Sequence, residues 1–408
     1  RRDSRQKRFL QIARNIPCFV RLFTTMAPAV QTFSSVDASN IHPKGADTDT
    51  VLQSESSIAP RAPLQTTGIL DSLYESEEVT PVIGRLYPTL QLKDVVHHEK
   101  ADELIRDLAI TISRRGVVFF KNQDLSPEEQ KFLVNRLGHL TGKPPSSGLH
   151  IHPILNAERQ GNYQIVDEKG TINNDNEISV ISSELNRKLG SRSLYSGKRS
   201  GADEWHSDIA FENVPSDYTA LKVHTLPTTG GDTIWSSGYE VYDLLSTPFK
   251  KLFEGLQGIY QAPQFREAAE RNGYQLHEGP RGAADNVGTD LDTKHPLVRT
   301  NPVTGWKSVF GVGNFLRQIE NLTTEESESV KRYVRDLVTQ NHATQVRYRW
   351  GKNDLAIWDN RSTYHAATPD YFDIGPRSGV RAVSCGERPY YDPSSISRRD
   401  ELKGGRLI

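Results

Sequence analysis

Cysteine is almost missing from this chain: Cys18 and Cys385 are the only two in 408 residues. A disulfide framework and a zinc site built from several thiolates are both excluded, and a reducing intracellular compartment fits. No apolar run reaches the roughly 18 to 20 residues that a bilayer-spanning helix needs. An excess of charge of either sign is missing too. With 50 Lys+Arg against 51 Asp+Glu, the formal net charge of -1 creates no field that favours nucleic acid or an anionic membrane. The expectation is a cytoplasmic protein with a small-molecule partner, no nucleic acid and no membrane. Whether it forms a homo-oligomer is left open by the residues.

Methionine occurs once, at Met26. The residues before it carry Arg1, Arg2, Arg5, Lys7, Arg8, Arg14 and Arg21 against the single acid Asp3, with Phe9, Ile12, Ala13, Ile16, Val20 and Phe23 near helical spacing. That pattern is what a mitochondrial transit segment shows. Met26 is followed by Ala-Pro-Ala, as many cytosolic starts are, and Met26 as the true start is the favoured expectation. Residues 27 to 67 are mostly Ser, Thr, Asp, Pro, Gln and Ala without apolar period, so together with the basic segment, 1-67 reads as a leader that cannot bury enough surface to order itself.

From Gly68 onward apolar periodicity appears, and residues 68-408 read as one domain without internal repeats or a linker. Leu104, Ile105, Leu108 and Ile112 share one face of a helix over Asp102 to Arg114, and Gly116 ends it before the buried strand Val117 to Phe120. Ser126-Pro-Glu-Glu opens a second helix, Pro127 to Leu140, as a capping box. Strands are expected at Tyr218 to His224, Asp232 to Ser236, Val346 to Trp350, Leu355 to Trp358 and Val380 to Ser384. Helices at Tyr239 to Gln257 and Thr324 to His342 are expected to cover the sheet. The class is α+β and β-dominated.

Trp205-His206-Ser207-Asp208 puts an imidazole and a carboxylate two residues apart, so in extended chain both leave the same face and can meet one ion. With one distant histidine they make a two-histidine-one-carboxylate set that leaves coordination positions open and suits non-haem Fe(II). An HxD pair alone is weak evidence, since a surface His beside a capping Asp looks the same. Three further blocks accompany it: Thr229-Gly230-Gly231-Asp232-Thr233-Ile234-Trp235, then Trp358-Asp359-Asn360-Arg361-Ser362-Thr363-Tyr364-His365, then Arg377 and Arg381.

In WHSDIAFE, TGGDTIWSSG, WDNRSTYH and RSGVRAVSCGERP, taken in this order, the chain resembles the taurine/2,4-dichlorophenoxyacetate dioxygenase family over roughly residues 80 to 408, and most closely its fungal sulfonate/2-oxoglutarate dioxygenases. The resemblance implies a double-stranded β-helix (jelly-roll) core with covering helices, and Fe(II), 2-oxoglutarate and O2 as cofactor and cosubstrates. His206, Asp208 and His365 match the iron ligands, Thr233 and Arg377 the pair on the far carboxylate of 2-oxoglutarate, and Arg381 the sulfonate-binding position. Arg is suited to both anions because its guanidinium pairs bidentately with a carboxylate or related group. Phe211 matches a substrate-pocket aromatic, and His152, in Leu149-His150-Ile151-His152-Pro153, a substrate-contacting histidine. Asp359, Asn360 and Arg361 are expected to organise the loop around His365.

The match departs where the taurine amine is recognised: Leu155 stands for a tyrosine and Ala202 for an asparagine, and an insertion around Val166 to Ser200 is read as an extra lid. Keeping the sulfonate arginine while losing amine partners points to a small anionic organosulfur substrate with a less polar tail. The implied reaction is hydroxylation of the carbon next to sulfur, releasing sulfite and an aldehyde, with succinate and CO2 as coproducts. Alkyl sulfate esters, aryloxyalkanoates, and a silent 2-oxoglutarate-binding relative are the alternatives.

Overall fold

The computed structural model describes residues 62–155, 165–166, 172–173, 175–183, 201–310, 312–371 and 373–404, without the side chains of 165, 166, 172, 173 and 404. These lie in one compact unit, Ala59–Ile408; the basic segment and most of the expected leader fall outside the described residues. The chain engages the domain ahead of Gly68. Leu64 N donates to Val303 O at 2.8 Å, and Thr67 bonds Asp107 through its amide and hydroxyl at 2.8 and 2.9 Å.

A seven-stranded sheet runs in the order Glu77–Glu78, Arg85–Tyr87, Val117–Phe120, Asp354–Asp359, Ser216–Thr225, Ser378–Cys385, Ile178–Ser182. Only Arg85–Tyr87 and Val117–Phe120 pair in parallel. Facing it is a three-stranded antiparallel sheet, Gln345–Tyr348, Thr233–Ser237, Thr363–Ala367. Side chains alternate between the two faces of each strand, so Phe119, Leu221, Val223, Ala356 and Trp358 meet Trp235, Val346, Tyr348 and Trp350 of the smaller sheet. The other face of the large sheet, with Val118, Phe120, Ala220, Leu355, Ile357 and Ala382, packs on helices Ala101–Arg115 and Pro127–Leu140. Burial on both faces is why Val117 to Phe120 is an unbroken apolar run. The two opposed sheets, the larger one mixed and the smaller antiparallel, with covering helices match the α+β, jelly-roll expectation. Among the described residues no helix is long and apolar enough to cross a membrane.

The Ser126 capping box is present with both reciprocal bonds. The helix expected over Tyr239 to Gln257 is instead two, Gly238–Leu244 and Thr247–Glu254, followed by strand Gln257–Gln261. Leu245 leaves the helix at ψ 139°, and Pro248, lacking an N–H, sits in the first turn of the next one, where that donor is not needed. Gly238–Leu244 lies against strand Lys307–Val309 and Thr324–Gln340 against Leu316–Ile319, rather than on the large sheet. A further small sheet, Asp292–Pro296, Gln257–Gln261, Leu316–Ile319, and helix Pro263–Asn272 were not anticipated.

Most of the insertion around Val166 to Ser200, read as a lid, lies outside the described residues. Its Ile178–Ser182 part is the edge strand beside Ser378–Ala382, with Ser179 opposite Arg381. Ser183 closes this edge, its amide donating to Arg377 O at 2.9 Å and its hydroxyl accepting from Arg377 N at 3.1 Å.

Candidate metal centre and anion sites

His206 and His365 are brought together by backbone. They form an isolated antiparallel bridge, each amide donating to the other's carbonyl at 3.1 and 2.9 Å, and their rings lie 4.3 Å apart. Asp208 completes the group: one ligand atom from each of the three residues lies within 4.8 Å of the others. The facing atoms are Nε2 of both histidines, 3.9 and 4.0 Å from Asp208 Oδ1. His206 Nδ1 is 2.8 Å from Glu204 O, a carbonyl that can only accept, so Nδ1 carries the proton and Nε2 keeps its lone pair for a metal. His365 Nδ1 is buried without a hydrogen-bond partner. Its ring is oriented by packing, between Trp358 at 4.8 Å and Trp235 at 6.5 Å.

Protonation states suit a cation. Burial, helped by the neighbouring His206, pushes His365 down to about 3, so its imidazole stays neutral. Burial alone would raise the Asp208 carboxyl, but Arg381, His365 and His206 overturn this and hold it at about 2. Two histidines turning Nε2 to one point beside an ionised carboxylate are the donor set that fits Fe(II) with positions left open.

Asn360 fixes the backbone at Asp208. Its Oδ1 accepts from Asp208 N at 3.0 Å and Trp358 Nε1 at 3.1 Å, while Nδ2 donates to Ser216 and Thr219 hydroxyls at 3.0 and 2.8 Å. Asp359 and Arg361 pair beneath the same loop at 2.8 Å, joined by Ser113 and Asn301, all buried. Replacing Asn360 with alanine is expected to lower metal affinity roughly 10- to 100-fold, as loss of a ligand's supporting partner commonly does. Titration calorimetry with Mn(II) measures it; wild-type affinity in that variant would remove Asn360 from the centre.

Ile209, directly after Asp208, adopts φ 49°, a left-handed conformation that a β-branched residue seldom takes. The loop is held there by Asn360 on one side and by Glu212 on the other. Glu212 receives Arg281 Nε and Nη2 at 2.6 and 2.8 Å, and His150 Nε2 lies 3.1 Å away. This buried clamp ties the segment carrying His150 and His152 to the loop that follows Asp208.

Thr233 and Arg377 meet as expected. Arg377 Nη2 donates to Thr233 Oγ1 at 3.3 Å and Nε to Gly231 O at 2.8 Å. Gly230 and Gly231 turn the chain at φ 78° and 73°, and a Cβ on Gly231 would come within 3.0 Å of the Arg377 side chain. In the smaller sheet, His365 pairs with Trp235 and Ala367 with Thr233, so Thr233 lies two residues along from the position opposite the candidate ligand His365.

Arg381 donates through Nη1 to Asp208 Oδ1 at 2.7 Å, and its Nε is buried with no partner among the described residues. Phe211 stacks edge-on with Phe265 and Phe315, at 5.3 and 5.1 Å, and Phe315 lies 6.0 Å from His206. His152 joins this wall through Phe265, at 4.9 Å. Phe265 and Phe315 went unrecognised in the sequence because they come from the unanticipated small sheet and its helix.

A sequence profile described as "Taurine catabolism dioxygenase TauD, TfdA family" matches residues 75–383. The chain belongs to this family. As a TauD/TfdA member it is an α-ketoglutarate-dependent dioxygenase, an oxidoreductase using Fe(II), 2-oxoglutarate and O2. It is 44% identical to "Alpha-ketoglutarate-dependent dioxygenase btcD" of Neocamarosporium betae, over 83% of this chain and 98% of that one. It is 29% identical to "Alpha-ketoglutarate-dependent sulfonate dioxygenase" of Saccharomyces cerevisiae, over 78% and 68%. A taurine dioxygenase structure from Burkholderia xenovorans, at 23% identity, aligns with TM-score 0.56 over 79% of this chain and 93% of its own, which shows the shared TauD/TfdA fold.

Proposed function

We propose that His206, Asp208 and His365 hold the iron, that Thr233 and Arg377 hold the far carboxylate of 2-oxoglutarate, and that the prime substrate is an alkanesulfonate with an apolar tail. The observation that carries the substrate reading is Arg381: a guanidinium beside the metal ligand Asp208 whose Nε is buried and unpaired. A buried donor without an acceptor is costly, and an anionic head group satisfies it. The aromatic wall of Phe211, Phe265 and Phe315 gives the tail an apolar, water-excluding seat, with His152 at its rim.

Fe(II), 2-oxoglutarate and O2 together supply the oxidising power, with succinate and CO2 as coproducts. Arg381 holds the sulfonate so that the carbon bonded to sulfur is presented to the metal centre. Hydroxylation there replaces a C–H bond by C–OH. The hydroxyl then loses its proton as the C–S bond breaks, its electrons leaving with sulfur, to give an aldehyde and sulfite.

Changing Arg381 to glutamine is expected to raise KM for the sulfonate on the order of 100-fold, the range for truncating one partner of a buried charge pair, and to leave 2-oxoglutarate affinity within a few-fold. Steady-state kinetics with sulfite detection tests it. An unchanged sulfonate KM would move the anion elsewhere. Release of sulfate from alkyl sulfates, or of glyoxylate from aryloxyalkanoates, with no sulfite from any sulfonate, would keep the oxygenase and replace the substrate.

A further inference from the structure

Thr233 Oγ1 is approached by two groups that can only donate. Trp350 Nε1 lies 3.0 Å away and Arg377 Nη2 3.3 Å away. A hydroxyl has two lone pairs and one hydrogen, and neither an indole nor a guanidinium can accept that hydrogen. With both lone pairs engaged, the hydrogen is forced into a third direction, and among the described residues it meets no acceptor. We propose that Trp350 is a positioning residue for the cosubstrate: its indole N–H locks the Thr233 hydroxyl as a donor aimed at the far carboxylate of 2-oxoglutarate. This rests on the reading of Thr233 and Arg377 as the anchors of that carboxylate.

The fold makes the lock rigid. Trp350 follows strand Gln345–Tyr348, whose last residue, Tyr348, pairs with Thr233 across the smaller sheet. Its ring is buried against Tyr348 at 5.3 Å and Trp235 at 6.2 Å. The Arg377 guanidinium stands 5.7 Å from the centre of the same ring. One side chain thus contacts both anchors, presenting its N–H to the threonine and its π-system to the arginine. These two contributions separate chemically, because phenylalanine keeps the aromatic face and loses only the donor.

The test is calorimetric titration of 2-oxoglutarate into the Mn(II)-loaded full chain, with no turnover involved. Trp350→Phe is compared with 3-benzothienylalanine at position 350, a near-isosteric residue with sulfur in place of the indole N–H. Thr233→Val and Thr233→Val/Trp350→Phe complete a cycle, and Mn(II) affinity is measured for each. Both replacements at 350 are expected to weaken 2-oxoglutarate about tenfold, the worth of one hydrogen bond, with Mn(II) affinity unchanged. Thr233→Val is expected to weaken it at least as much, and adding Trp350→Phe to Thr233→Val to cost nothing more. Two-fold or smaller effects from both replacements at 350 would overturn the proposal. So would a full tenfold loss repeated in the Thr233→Val background, which would make Trp350 a packing residue. Wild-type affinity in Thr233→Val would instead remove the anchor reading itself.

Discussion

Exchanging Gly313 for alanine is expected to abolish metal binding and turnover while leaving most of the β-sheet core intact. Gly313 sits at φ 105°, and a Cβ there would lie 1.6 Å from Trp205 O, 2.6 Å from Trp205 C and 3.4 Å from the His206 Cα. None of these is the flexible end of a side chain. The backbone at Trp205 and His206 must move, and with it the two hydrogen bonds that hold His206 against His365. Site geometry has to be kept within about 0.5 Å for function, so affinity for Mn(II) should fall by at least about 100-fold. Gly273→Ala is the control. That glycine is also left-handed, at φ 71°, but nothing lies within 4 Å of its Cβ, so the change costs only local strain of about 1 kcal/mol. Calorimetry with Mn(II) and far-ultraviolet circular dichroism on both variants distinguish local from global damage. Wild-type metal affinity in Gly313→Ala would contradict the packing of this turn on the ligand loop.

Acid should destabilise the metal-free protein steeply, starting near pH 6.5. His365 and His295 both have an ordinary value of 6.5, and burial pushes each down to about 3. The folded chain keeps both neutral, whereas the unfolded chain protonates them as pH falls through 6.5. The unfolded state binds more protons across this window, so stability is fully present above it and is lost on going down, by about 1.4 kcal/mol per pH unit for each histidine. Between pH 6.5 and 5, above the range where most carboxylates titrate, the histidines dominate the slope. His295 Nε2 is 3.0 Å from Glu212 O, and a His295→Gln variant retains a donor there without the proton uptake. Urea midpoints measured across this window should fall less steeply in that variant than in the parent protein. Identical slopes in the two proteins would show that His295 is not held neutral.

The candidate metal ligands His206, Asp208 and His365 could be picked out in the sequence because their chemistry is local. An HxD pair in extended chain places two side chains on one face, and the second histidine follows a polar loop, Asp359-Asn360-Arg361, that comes directly after an apolar strand. Val117 to Phe120 was legible as an unbroken apolar run after Gly116, and the helices flanking it through their 3.6-residue period and the capping box at Ser126. What stayed hidden depends on register and on contacts distant in sequence. Trp350 and Thr233 are 117 residues apart and meet only because Tyr348 pairs with Thr233, and Arg281 reaches Glu212 across 69 residues. Phe265 lies in a short, largely polar helix, and Phe315 in the turn before the short strand Leu316–Ile319, so neither carried a recognisable pattern. The run from Tyr239 to Gln257 was misread as one helix because its apolar spacing continues through Leu245 while Pro248 restarts the chain. Gly313 carries no local mark at all, since its importance lies in the carbonyl that would meet its side chain.

The most direct test of the account is to load the full chain with Fe(II) and 2-oxoglutarate anaerobically, admit O2, and measure succinate and sulfite across a panel of alkanesulfonates that includes taurine. Sulfite equal to succinate, greatest for apolar-tailed sulfonates and absent in an Asp208→Ala variant, is the predicted result; no succinate with any substrate, or turnover that survives Asp208→Ala, would contradict it.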